Sequence, residues 1–391
     1  MDSFNVVVFH DFFPHEDWVK VGTHFYNEYF IKKGCRVLNL VHAGSILSLL
    51  KPNMNKLKRM SLALRGTTIV ETGIGSYSVS GIITLFHQKL EAPIINREFF
   101  SKHFFSLSYP PIKSIFNRWD HTDILLFNVL NAGIYYKIDA KLKIFRIQDH
   151  FQTHPLHSGF YREIIKKIDI ILTVSNPLYD IAIKQRGTSE GVYLLPNGCD
   201  IDKFLEKYPA PLEYENIPRP IALYVGNLSV GFFDWDLLIS LAKKRTDVSF
   251  VLIGPGTNIV DLPKNVYILG YRHHDELPAY IQNGDIGLIP LCDTPVIRAM
   301  ERPLKYYEYI ASGLPVVTVS YGAMKAMAPP AIPANTPEEF SDGIDQALGY
   351  TLGQRQSLQE FSKQFSWNNV FKRLDEIISL HYPNWLQQND I

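Results

Sequence analysis

The sequence predicts an α/β protein made of two doubly wound domains, and three observations carry that prediction. Short apolar runs rich in Val, Ile and Leu alternate with helical stretches over the first 200 residues or so, and the alternation restarts after residue 220. Such alternation is the mark of parallel βαβ units. A Pro-rich stretch, YPAPLEYENIPRP over 208–220, separates the two series and reads as a linker. Residues 303–317, PLKYYEYIASGLPVV, read as a helix running into a buried strand. Pro303 suits the first helical turn, where its missing N–H would be unpaired anyway, and Gly313 supplies the stop. A chain of 391 residues has room for two cores.

The first domain is expected over residues 1–207. Asn5 to Phe9 is an apolar strand followed by a polar loop that contains Asp11. A helix over about Trp18 to Lys32 ends at Gly34, and Arg36 to Val41 is the next strand. Ligands of such sheets gather beyond the carboxyl ends of the strands. Asp11 lies at such an end, where it serves either a ligand or the cap of the following helix. The segment ETGIGSYSVSG over 71–81 has Gly73 and Gly75 but Ser78 where a dinucleotide loop has its third glycine. With TTIV before it and SGIITLF after it, the segment reads as a hairpin. Asp123 to Val129 and Lys143 to Ile147 are further strands, the second leading into Gln148-Asp149-His150. His150, His154 and His157 lack the i,i+4 spacing of a helical zinc pair, and Pro155 interrupts them, so no metal is expected there. Ile168 to Val174 and Val192 to Leu195 complete this series of strands.

The second domain is expected over 221–365. Its strands are Ala222 to Val225, Phe250 to Ile253, Val266 to Leu269 and Ile286 to Pro290, with helices over about 234–245 and 275–283. Gly226-Asn227 follows the first of these strands, and glycine there would let the chain turn close to a bound phosphate. A helical tail over 354–380 contains Phe365-Ser366-Trp367.

The formal charge is zero, with 39 Lys and Arg against 39 Asp and Glu. It is unevenly spread. Residues 1–186 hold 23 basic against 15 acidic residues, and the remainder holds 16 against 24. The segments 51–65 (KPNMNKLKRMSLALR) and 99–118 (FFSKHFFSLSYPPIKSIFNR) mix basic residues with apolar and aromatic ones. That mixture suits an anionic membrane surface, and no RNP, zinc-finger or helix-turn-helix pattern favours nucleic acid. Cys35, Cys199 and Cys292 form no C-x-x-C, which points to a reducing compartment. The start has no basic n-region, and no apolar run reaches the roughly 18 residues of a membrane span. The expected location is cytoplasmic, peripheral on the inner face of the membrane.

Lys305 and Glu308 lie three residues apart near the start of the helix in 303–317, so both can project from one face. The N-terminal end of a helix offers N–H groups and a positive partial charge to a phosphate. A lysine adds a full charge, and a carboxylate one turn later can accept bonds from two ribose hydroxyls. A surface ion pair explains the same spacing. A Lys, a Glu three residues on, then small-x-Gly-x-Pro-Val-Val resembles the nucleotide-sugar site of GT-B glycosyltransferases. That fold has two Rossmann-like doubly wound domains facing across a cleft. The resemblance extends to Pro196-Asn197-Gly198-Cys199-Asp200, similar to the family's interdomain segment, and to residues 366–391, similar to its last helix returning to the first domain. It implies that Glu308 holds the ribose and Lys305 the diphosphate of the donor, with Gly226, Asn227, Tyr271 and Leu304 in the same site.

A closer resemblance is to the membrane-associated glucuronosyltransferases of xanthan-type exopolysaccharide assembly. It rests on His10-Asp11-Phe12, His24-Phe25 and Arg146-x-x-Asp149. It implies that Asp149 is the base of an inverting transfer, with Asp11 and His24 on the acceptor side and Asp11 the rival base. That family has Gln where this chain has Glu308. Retaining relatives separate two Glu residues by seven others, whereas Glu301 and Glu308 are separated by six. They also carry a basic residue after the first glycine loop, where this chain reads Asn227-Leu228-Ser229-Val230-Gly231. The expected function is transfer of a sugar from a UDP-type donor, UDP-glucuronate being one candidate, to a lipid-linked or glycan acceptor in cell-surface polysaccharide synthesis. No cofactor and no metal are expected, since Lys305 and the helix terminus would stabilise the leaving diphosphate. A nucleotide-sugar epimerase on the same fold and a non-catalytic sugar-binding subunit are the alternatives.

Overall fold

The computed structural model describes residues 3–10, 22–46, 57, 60–61, 63–85, 102–116, 119–148, 158–256 and 261–388. The chain divides into two compact units, residues 1–195 with 371–391 and residues 196–370.

In the first unit the strands are β1 (Asn5–His10), β2 (Arg36–Ser45), β3 (Thr68–Thr72), β4 (Gly75–Thr84), β5 (Ser108–Tyr109), β6 (Ile124–Asn128), β7 (Leu142–Ile147), β8 (Ile170–Thr173) and β9 (Val192–Leu194). They form one sheet in the order β3-β4-β2-β1-β6-β7-β8-β9, with β5 on β4. The pairs running from β4–β2 through β8–β9 are parallel. β3 and β4 form the antiparallel hairpin that the alternating pattern predicts, with Thr72 opposite Gly75. Strands covered on both faces read as continuous apolar runs. Accordingly every residue of β6, and all of β7 but one, is buried.

The second unit contains β10 (Ile221–Val225), β11 (Ser249–Ile253), β12 (Val266–Gly270), β13 (Ile286–Ile289), β14 (Val316–Thr318) and β15 (Ile332–Pro333). Their order is β12-β11-β10-β13-β14-β15, parallel throughout. Numbered from β10 this is 3-2-1-4-5-6, the dinucleotide-binding order, whose reversal at the first strand opens a crevice for ligand. Tyr309 secures the centre of this unit. Its ring lies where a side chain on Gly287 would sit, at 2.4 Å from that position, and its hydroxyl accepts the Val225 N–H at 2.7 Å.

Two expectations need correction. The division falls at residue 195, not 207, and 208–220 is part of the second unit. Leu212–Asn216 forms a 3-10 turn whose Tyr214 is buried and donates to the Tyr280 carbonyl at 3.1 Å. The tail is two helices, Leu352–Ser362 and Trp367–His381. It breaks because Cys199 exchanges backbone bonds with it, donating to Phe365 at 2.8 Å and accepting from Trp367 at 3.1 Å. The part after 370 belongs to the first unit. In 99–118 the aromatics divide between core and surface. Phe104 and Phe105 are core residues, and Lys102 pairs with Glu163 at 2.5 Å, while Leu107, Tyr109 and Lys113 are exposed.

Candidate functional site

The donor-site candidates gather at the carboxyl edge of the second sheet. β10 ends at Val225 and the chain turns at Gly226, whose φ of 148° is unfavourable for any side chain. β11 ends at Ile253 and turns at Gly254, also at 148°. The two turns press together so closely that a Cβ on Gly254 would lie 1.8 Å from the Gly226 carbonyl oxygen. Gly226 donates to Ile253 and Leu228 to Pro255, both at 2.8 Å. Asn227 is spent within its own loop. Its Oδ1 accepts from the Ser229 N–H at 2.9 Å and the Ser229 hydroxyl at 2.6 Å, and its carbonyl accepts from the Tyr224 hydroxyl at 2.9 Å.

Lys305 is the second residue of the helix Leu304–Ala311, which Pro303 precedes in extended geometry. Its Nζ lies above the Tyr224 ring, 4.6 Å from the centroid, and donates to the Tyr224 hydroxyl at 3.3 Å. A Cβ on Gly226 would be 2.7 Å from that nitrogen. The fold therefore brings Gly226 and Lys305 together, from positions 79 residues apart in sequence. Burial pushes the Lys305 ammonium down to about 8, with the Glu308 charge opposing the shift. Leu304, beside it at the helix start, is half-buried.

Glu308 is buried one turn along, and its Oε1 meets Nε2 of His274 at 3.0 Å. Tyr271 and His274 share the turn after β12. Between them Arg272 ties the turn down, bonding the Leu269 carbonyl at 2.6 Å, the Tyr280 hydroxyl at 2.8 Å and Glu213 at 2.8 Å. Glu301, the other carboxylate near this helix, is buried and bonded to Arg302.

In the first unit His24 is buried on the helix Gly22–Lys32. It lines a cavity of about 240 Å³ with Asn27, Glu28, Thr72, Ile74 and Tyr77. Arg146, at the end of β7, is buried with its guanidinium over the Tyr26 ring and bonded to Gln148. Asp149 and Asp11 lie outside the described residues, as do His150, His154 and His157. Sequence reasoning missed His274 and Tyr224. Each has its partner remote in sequence, so no spacing announced it.

Two parallel doubly wound units with a glycine turn and a Lys–Glu helix at the sheet edge of the second define the GT-B class of glycosyltransferase folds. Solved structures of that class agree. Anabaena Alr3699/HepE in complex with UDP superposes with a TM-score of 0.65 at 13% identity, over 96% of this chain and 100% of that one. Sucrose-phosphate synthase from Thermosynechococcus elongatus gives 0.64 at 13% identity, over 97% and 99%. Residues 219–349, inside the second unit, match the family described as Glycosyl transferases group 1. A protein of Bacillus subtilis (strain 168), TuaH, named for a glycosyltransferase role in teichuronic acid biosynthesis, is 25% identical over 233 residues. The match covers 54% of this chain and 57% of that relative's length, little more than half of each.

Proposed function

We propose that the protein transfers a sugar from a nucleoside diphosphate donor, UDP-linked, to a lipid-linked or glycan acceptor in cell-surface polysaccharide synthesis. The observation that carries this reading is the Lys305 ammonium set against the Gly226 turn, at the switch point of the sheet and one helical turn from a buried carboxylate. A diphosphate there would meet a full positive charge in a poorly hydrated place, where electrostatic attraction is stronger than in water. The ribose of the same nucleotide would reach Glu308. The polysaccharide context is drawn from the likeness to TuaH, and UDP from the ligand of the Anabaena structure. UDP-glucuronate is one candidate among UDP-sugars, by the sequence resemblance.

The chemistry proposed is displacement of the diphosphate from the anomeric carbon by an acceptor hydroxyl, with inversion. Asp149, two residues beyond β7, takes the hydroxyl proton as the bond forms, because a neutral hydroxyl is a weak nucleophile. Lys305 and the N-terminal end of its helix stabilise the charge growing on the leaving group. Asp11 and His24 serve the acceptor.

Calorimetry with UDP tests the donor half of this reading. Lys305→Ala is expected to weaken binding by about 1.5–3 kcal/mol, the range for a hydrogen bond to a charged group. Equal affinity in the two proteins would remove Lys305 from the site, and no binding to the wild type would remove UDP as the donor's nucleotide.

A further inference from the structure

The Glu308 carboxylate is held by a chain of side chains that reaches away from the glycine turns. Its Oε1 meets His274 Nε2 at 3.0 Å, and His274 Nδ1 lies 3.3 Å from Nζ of Lys203. Lys203 comes from the short helix Ile201–Leu205. It also donates to the His274 carbonyl at 3.3 Å and to Asp275 Oδ1 at 2.5 Å, so its position is fixed from three sides. The neighbouring Phe204 sets its ring edge-on to the imidazole, with centroids 6.1 Å apart.

This geometry decides where the imidazole proton sits. An ammonium has three donors and no acceptor, so its bond to Nδ1 needs a lone pair there. The neutral ring therefore carries its proton on Nε2, and Nε2–H donates to Glu308. A metal-free carboxylate oxygen has two lone-pair directions, and one bond from His274 leaves the other, together with all of Oε2, for further donors. Glu has a long, freely rotating side chain, and fixing it costs rotamer entropy that a pre-made bond removes from the binding step.

We infer that His274 is a positioning residue of the donor site: with its tautomer set by Lys203, it holds Glu308 oriented to receive the vicinal ribose hydroxyls of a nucleoside diphosphate. The inference rests on the reading of Glu308 as the ribose ligand. His274 need not touch the nucleotide. Its effect passes through one carboxylate and is specific to donors that carry the diol.

The test compares UDP with 2′,3′-dideoxy-UDP by calorimetry on each variant, taking the ratio of the two dissociation constants. A ratio cancels any loss of folded fraction, which scales both ligands alike. Wild type should favour UDP by about tenfold or more, as expected for hydroxyls bonded to a charged group. Glu308→Ala should bring the ratio close to one. His274→Phe keeps the ring against Phe204 but removes both nitrogens, and should lower the ratio most of the way to the Glu308→Ala value. His274→Gln should restore it, since its carbonyl can accept from Lys203 while its amide donates to Glu308. A ratio near one in wild type, or one unchanged in Glu308→Ala, overturns the ribose reading and this inference with it. A large ratio lost in Glu308→Ala but kept in His274→Phe overturns the positioning role alone. So does a fall in His274→Phe that His274→Gln does not reverse. If His274→Phe fails to fold, His274→Leu replaces it with the same two outcomes, and Lys203→Met is measured beside it. The Lys203 variant tests the tautomer control alone: an unchanged ratio shows that the Glu308 carboxylate, which only accepts, keeps the proton on Nε2 by itself, and overturns the part assigned to Lys203.

Discussion

At Lys305, burial and charge act against each other. The ring of Tyr224 and the glycine turn exclude water from the ammonium, and its pKa falls from 10.5 to about 8. Because the folded value is below the unfolded one, the buried charge is a cost below about pH 8, and stability gains as pH rises from there toward 10.5. Ligand binding has the opposite sign. A bound diphosphate favours the ammonium and raises its pKa, so affinity for UDP should be complete below about pH 8 and decline as pH rises through it. The slope approaches tenfold per pH unit while the free protein is deprotonated and the complex is not. Lys305→Met shares the titration of UDP itself but not that of the amine, so the difference between the two curves isolates Lys305. Parallel curves from pH 7 to 9 would show that the amine does not meet the diphosphate. The acceptor side has its own single-residue test. Asp149→Asn keeps the size of the side chain and removes its basicity. Turnover is expected to fall by about 10²–10⁴ with donor affinity nearly unchanged, because the loss belongs to the transition state. A near-normal rate, with collapse in Asp11→Asn, would move the role of base to Asp11.

Individual elements show what the sequence could and could not announce. β6, β7, β10 and β11 are short, β-branched and buried on both faces, so a run of apolar letters located each to within a residue or two at either end. The helix Leu304–Ala311 was legible for another reason. Pro303, a Gly stop and the strand behind it leave few other conformations, and a Lys–Glu pair at i,i+3 must share a face. The contacts that make the element a site were not legible. Tyr309 caps the Val225 N–H from 84 residues away, and Lys305 finds Tyr224 from 81 away, at distances no local period encodes. His274 shows the limit best. In sequence it is one of two adjacent histidines in a turn, and its meaning comes only from Glu308 and Lys203, which the fold delivers from either side. Asn227 shows a related limit. A polar residue after a glycine invites a ligand role, yet its side-chain oxygen closes the loop in which it stands.

On the scale of the whole molecule, the imbalance of charge between the halves of the sequence has no counterpart in the proposed nucleotide site, which lies in the acidic half. An acceptor carried on a lipid would bring the protein to a membrane surface. Among the described residues no helix is long and apolar enough to cross one. In the first unit exposed Leu57, Leu64, Leu107 and Tyr109 stand on the same segments as exposed Arg65 and Lys113. Apolar side chains that can enter the headgroup region, beside cations that anionic lipid attracts, are what such contact needs. Each Lys or Arg near an anionic surface contributes about 1 kcal/mol, and a handful suffice for reversible binding. Flotation with vesicles should therefore depend on anionic lipid, and it should fall steeply between 50 and 300 mM salt as the Debye length contracts to several Å. Lys113→Glu with Arg65→Glu should weaken it further at low salt. Equal flotation on purely zwitterionic vesicles, or none on anionic ones, would detach the basic half from any membrane role and leave a soluble glycan as the acceptor to pursue.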